Sequence, residues 1–284
     1  MPLGDLGKGI KDSLLGTIKG AGDVVATTLD ATKDTTVKAL QGVRDVTREA
    51  SGMAVDGVTG AVQAASEVGA SVGGVAKGAV IGVIEGVGEV AQVTVVTLSD
   101  TVRAAIKGTS EVGGDVADAG RGAIEGALVG GKSVGLVFED SVSSVARGAI
   151  QSANEVGGDL AATAKGVVLG TIHGAQEVGE DAIVAVRSSS GELIKGAAGV
   201  GGDVAAVALS AVEGAIEGAK DIGVTVEDAA SAAATGAIDA ATQISESAGN
   251  AVRDAATGTI SGVRVVVQAP FKGEEDKKSP AHGP

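Results

Sequence analysis

A single 22-residue period runs through this sequence without insertion or deletion, and it limits the chain to architectures built from one unit used many times. The hexapeptides GTIKGA at Gly16, GAIQSA at Gly148, GTIHGA at Gly170, GAIEGA at Gly214, GAIDAA at Gly236 and GTISGV at Gly258 begin at positions that differ by multiples of 22. Extending that ruler gives a first column of Ile18, Leu40, Val62, Ile84, Ile106, Leu128, Ile150, Ile172, Ile194, Ile216, Ile238 and Ile260, all aliphatic. Six residues later a second column, including Val24, Val112, Val156, Val178, Ile222 and Ile244, is β-branched throughout.

Twenty-two is two elevens, and eleven residues fit three helical turns at about 3.67 residues per turn, close to the α-helical value. The period therefore predicts an all-α protein: twelve repeats forming a long amphipathic helix or a set of helical hairpins. Both aliphatic columns fall on one arc of the helical wheel, and the acids Asp23, Asp45, Glu67, Glu89, Glu111, Glu155, Glu177 and Asp221 fall opposite. Bases such as Lys33, Lys77, Arg121, Lys165, Arg187 and Arg253 lie beside the apolar arc, where their stems can snorkel. The same charges also read as a solvated face of ion pairs. A parallel β-solenoid is the alternative architecture, but period-two alternation is weak and the alanine runs at Ala229 and Ala237 favour helix.

Glycine costs roughly 0.8–1 kcal/mol relative to alanine in a helix interior, so the 47 glycines need a compensating contact. They recur four apart around the first column, as Gly16 and Gly20, Gly82 and Gly86, Gly126 and Gly130, Gly170 and Gly174, Gly214 and Gly218, and Gly258 and Gly262. Small residues at that spacing let two helix backbones approach, which predicts close helix packing at these pairs. A straight helix from Ile18 to Val266 would be roughly 370 Å long. Glycine pairs such as Gly73 and Gly74, Gly113 and Gly114, Gly157 and Gly158, or Gly201 and Gly202 offer places to fold back into hairpins. The array is expected over 1–267, with 1–15 a partial repeat. The charged stretch 268–284 loses the register and is expected to be a disordered tail.

The chemistry-bearing residues are few. The chain has no Cys, Trp or Tyr, and only two Phe. Its formal net charge of −14 repels nucleic-acid phosphates. No run of 18 uncharged apolar residues occurs, so no transmembrane span is expected. The segment GALVGGKS at Gly126 satisfies the phosphate-loop pattern, yet the same columns read GAIEGAKD at Gly214 and no strand precedes it. Glu111 with Asp115, and Glu155 with Asp159, place carboxylates one turn apart without the converging oxygens of a calcium site. His173 and His282 are isolated. No catalytic group, cofactor or metal is expected, and the chain reads as a non-enzyme.

The units GTIKGAGDVV at Gly16 and GAIEGAKDIG at Gly214 resemble the eleven-residue repeats of synucleins, perilipin-type lipid-droplet proteins and late-embryogenesis-abundant proteins. That resemblance implies a chain loosely helical when free that becomes helical on a lipid surface or on drying. This chain departs from those families in its abundant glycine and its net acidity. Two functions follow as expectations. One is a cytoplasmic amphipathic coat or protectant, peripheral on an internal membrane or a hydrophobic granule, with both aliphatic columns facing the lipid or a partner. The other is a self-assembling bundle or filament in which copies pack through Gly/Ala seams.

Overall fold

A computed structural model describes residues 4–17, 23–41 and 46–267. Among the described residues the fold is all-α except for one hairpin after the last helix. Its helices are α1 (Asp5–Thr17), α2 (Val24–Gln41), α3 (Val46–Val68), α4 (Val72–Gly88), α5 (Val95–Glu111), α6 (Val116–Ser133), α7 (Phe138–Glu155), α8 (Leu160–Glu177), α9 (Ala182–Gly199), α10 (Val204–Ile222), α11 (Val226–Ile244) and α12 (Glu246–Ala256). Strands β1 (Gly258–Ile260) and β2 (Val263–Val265) follow and pair antiparallel. Each sequence period thus makes one helix and one turn.

The turn is written in the sequence V-G-x-D. After α5, Val112 caps the helix and Gly113 takes φ 70°, a left-handed conformation that costs any residue with a Cβ. The N–H of Gly114 then bonds to the Thr109 carbonyl at 2.9 Å and that of Gly113 to Ser110 at 3.1 Å. These two bonds are a Schellman motif, which satisfies the last carbonyls of the helix. Two residues after the left-handed glycine, the Asp115 carboxylate accepts from the N–H groups of Ala117 (2.8 Å) and Asp118 (3.1 Å), so the next helix starts at once. Asp159, Asp181 and Asp203 cap α8, α9 and α10 in the same way. Where the glycine column holds Ala91 instead, no positive φ is adopted. The turn loosens, and α5 begins at Val95 behind a Thr94–Thr97 capping box, one residue later than Val116 minus 22 would place it.

Short turns reverse the chain, but the dominant packing joins helices two apart. The even helices stack from α2 to α10, and the odd helices from α1 to α11, while consecutive helices hold the two rows together. The structural unit is therefore 44 residues, two sequence periods, in a two-row α-solenoid. Within the even row the backbones nearly touch. A Cβ on Gly126 would lie 2.6 Å from the Lys77 carbonyl oxygen; on Gly82, 2.4 Å from that of Leu29; on Gly170, 2.3 Å from that of Arg121; on Gly214, 2.7 Å from that of Lys165. The second glycine of each pair, at Gly86, Gly130, Gly174 and Gly218, receives the side chain of Thr36, Ile84, Leu128 or Ile172 from the preceding even helix. No β-carbon fits at distances below about 3 Å, so the glycine columns set the helix spacing.

Both ends of the stack are closed. The columns that hold Gly78 and Gly82 in α4 hold Asp34 and Lys38 in α2, both exposed, so a further helix would bury charge on this face. At the other end, residues 229–238 of α11 are all buried. Helix α12 packs on α10 and α11, and β2 packs on α11, with Ile260 and Val265 turned inward. The helical expectation fails here: Ile260 lies in β1, and Gly258 (φ 98°) and Gly262 (φ 81°) serve the hairpin rather than helix packing. With Ser261 also at φ 49°, the two-residue Ser-Gly turn supplies the left-handed pair that tight hairpins favour.

The array is thus neither one straight helix nor a β-solenoid. Hairpin turns occur at Gly113–Gly114, Gly157–Gly158 and Gly201–Gly202, whereas Gly73 and Gly74 lie in the first turn of α4 and the reversal falls at Gly69. Ile18, Gly20 and the segment 268–284 lie outside the described residues, and Gly16 is the penultimate residue of α1. Two alanine substitutions should separate seam from propensity. Gly126→Ala should destabilise by about 1–3 kcal/mol through overpacking, whereas Gly52→Ala, in α3 with nothing within 4 Å, should stabilise by about 0.5–1 kcal/mol. Urea unfolding of the two variants against the parent measures both signs.

Candidate functional surface

The first column, given by sequence to a lipid- or partner-facing surface, lies inside the chain's own core. Leu40, Val62, Ile84, Ile106, Leu128, Ile150, Ile172 and Ile194 are fully buried, Ile216 and Ile238 are nearly so, and Ile260 is buried under the hairpin. The second column divides differently from the continuous stripe that the wheel implies. Val112, Val156 and Val178 are half-buried caps at helix C-termini. Ile222 and Ile244 end α10 and α11, Ile244 being 47% exposed, and Val24 opens α2. The helix ends at or next to the second column in most repeats, so no continuous apolar stripe runs on past it.

What the outer surface carries is a ladder of ion pairs between stacked helices. Lys77 of α4 donates to Glu125 of α6 at 2.9 Å and to Glu177 of α8 at 2.7 Å, tying three even helices. Lys33 meets Glu85 at 3.3 Å and Glu89 at 3.0 Å; Lys165 meets Glu217 at 2.7 Å; Lys132 pairs with Glu180. In the odd row Arg103 and Lys107 share Glu155 at 2.8 and 2.5 Å, and Arg187 holds Asp239 at 2.8 Å. The partners are 48 or 52 residues apart in most of these pairs, one structural unit plus one or two helical turns. His173 belongs to the same ladder, 3.3 Å from Asp221.

Several ion-paired side chains are partly buried, Lys77 and Glu192 among them. Burial works against charge on Lys77, but its hydrogen bonds to Glu177 and Glu125 outweigh this and raise its pKa above the ordinary lysine value. Glu192 stands in a column that is otherwise often glycine, and it reaches across to α7. Burial penalises its charge, yet hydrogen bonds from Arg147 and Lys195 prevail and lower its pKa. On the exposed side, the hydrogen bond from Lys107 lowers the Glu155 pKa.

The remaining candidates resolve simply. GALVGGKS forms the C-terminal turns of α6, ending at its last residue Ser133, and its Lys132 belongs to the ladder. The Asp115 and Asp159 carboxylates are committed as helix caps, and Glu155 is held by two bases. Among the described residues no cluster of His, Asp and Glu could hold a metal ion. An apolar groove of about 150 Å³ opens between the N-terminal turns of α7 and α9, floored by Phe138, Val142, Val184 and Ala185, with Glu139 and Asp181 at its rim. Val96, Val137 and Val184, each at least half exposed, stand at the N-terminal ends of α5, α7 and α9, Val137 as the residue that precedes α7. Sequence reasoning offered a solvated face of ion pairs but not their pairing between stacked helices, and it missed this edge. The bases one unit apart and the acids beyond them were visible as columns, but their pairing required the 44-residue stacking.

These features define a capped α-solenoid with an ion-paired exterior. No family model matches the chain, and no curated protein matches it. Among the described residues no helix is long and apolar enough to cross a membrane.

The lowered Glu192 pKa gives stability that is present above the unfolded carboxylate range and lost as pH falls through the folded value. The thermal unfolding midpoint should therefore fall on acidification below about pH 4.5. Glu192→Gln should flatten that slope. A variant with the same pH dependence as the parent would remove Glu192 from the account.

Proposed function

We propose that this protein is a non-enzymatic structural protein, a stacked-helix scaffold whose Gly/Ala seams join its own helices. The observation that supports this reading is the first column, whose members from Leu40 to Ile238 are at most 2% exposed. Their burial is already satisfied within the chain, so contact with lipid would gain nothing unless the stack opened. The exterior presents alternating charges, and the net charge of −14 disfavours anionic lipid and nucleic acid. The capped ends favour a finite particle over a filament of copies. Such a scaffold would act through its extended sides.

An amphipathic coat on a lipid or hydrophobic-granule surface is the second reading. The edge formed by Val96, Val137 and Val184 favours it, since that edge could touch an apolar surface without unstacking. Far-UV circular dichroism and sedimentation separate the two. The scaffold reading expects a fully helical monomer in buffer whose spectrum does not change with neutral or anionic vesicles. A chain that is mainly unfolded in buffer and gains helix on vesicles would overturn it in favour of the coat.

A further inference from the structure

The C-terminal end of the stack carries an unusual combination of groups. Arg253 of α12 and Arg264 of β2 line one groove of about 550 Å³, whose remaining walls are Thr257 to Thr259 and Val265 to Val267. Arg103, Arg147 and Arg187 each hold an acid, but no carboxylate of the described residues lies within ion-pair distance of Arg253 or Arg264. Val266 is 55% exposed beside them. The two-stranded hairpin gains no third strand among the described residues, and its cross-strand partners Thr259 and Arg264 both face solvent. Two guanidinium groups without a carboxylate partner among the described residues, valines beside them, and the edge of β1, which no other described strand pairs, together fit an extended acidic segment, while the Val266 N–H is already given to Ser231 Oγ at 3.3 Å. Carboxylates would meet the arginine forks, and its backbone would meet the edge.

We propose that this groove is a binding site for an extended acidic segment, and that residues 273–276 of the same chain, Gly-Glu-Glu-Asp, occupy it. Val267, the last described residue, itself lines the groove. Glu274 lies seven positions later, and seven residues span up to about 25 Å, ample to double back. Pro270 and Gly273 are residues suited to the reversal. Tethering supplies an effective concentration on the order of millimolar, so modest pairing suffices. The contact would neutralise both arginines, cover Val266, and keep the hairpin edge from pairing with another chain.

The chain has no cysteine, so a single spin label can be placed at Ala281→Cys in the full-length protein. Its broadening of the Thr259, Arg264 and Val266 amides reports the contact. Glu274→Gln, Glu275→Gln and Asp276→Asn together, or Arg253→Gln with Arg264→Gln, should each reduce that broadening by about twofold or more; 0.5 M salt should act in the same direction. Equal broadening in the parent and both variants would show mere tethering and overturn the proposal. A mixture of labelled and isotope-enriched unlabelled chains should show no broadening between molecules; if it does, the groove takes the segment from a second copy and the same-chain assignment fails.

Discussion

The fold depends on backbone contact between parallel helices one structural unit apart. At Gly126, Gly170 and Gly214 the space where a Cβ would sit is taken by a carbonyl oxygen of the preceding even helix. This explains how a chain with almost no aromatic residues sustains a core. The glycines cost helix propensity, but they bring backbones together so that alanine, valine and isoleucine fill the thin space between rows at high density. The odd row replaces several of these glycines with Ala104, Glu192 and other residues, yet Gly60 and Gly236 keep the contact, each facing a carbonyl oxygen of the preceding odd helix, Gly7 or Arg187, where a Cβ would sit, and the Arg147–Glu192 pair adds to it.

Everything else follows the 44-residue spacing that this contact sets. Bases and acids meet because stacking carries an acid one unit plus one or two turns away to the right height, as from Lys77 to Glu125. Lys77 also reaches Glu177 on α8, a contact that only a closely spaced row permits. Closure of the stack uses the same columns in reverse. Charge at Asp34 and Lys38 stands where another helix would require glycine, and the hairpin takes the place of a further odd helix.

The helical class, the 22-residue register and the small-residue pairs were legible in the sequence because each is a column property, independent of how the chain folds back. The continuous apolar stripe was a misreading that the numbers invited. Since 22 residues match two elevens, a chain that breaks once per period keeps the phase of a chain that never breaks. The distinguishing signal was the V-G-G-D segment at Val112 and Val156. Its Gly and Asp are a helix stop and a helix start, whereas its acids draw attention as paired carboxylates on one helix. Gly258 and Gly262 misled for a related reason: they keep the register while Ser261 and Gly262 turn the chain into a hairpin, a choice decided by the need to cover α11. The ion-pair partners could not be read, since pairing over 48 or 52 residues presupposes the stack.

The central claim is that residues 44 apart are neighbours. Gln176 on α8 and Lys220 on α10 occupy equivalent exposed positions and can both be replaced by labelled cysteines in this cysteine-free chain. Stacked helices pack roughly 8–10 Å apart axis to axis, so dipolar coupling between the two spin labels should report a separation below about 20 Å in plain buffer. A continuous helix would place them roughly 66 Å apart, and a distance above about 40 Å would contradict the account.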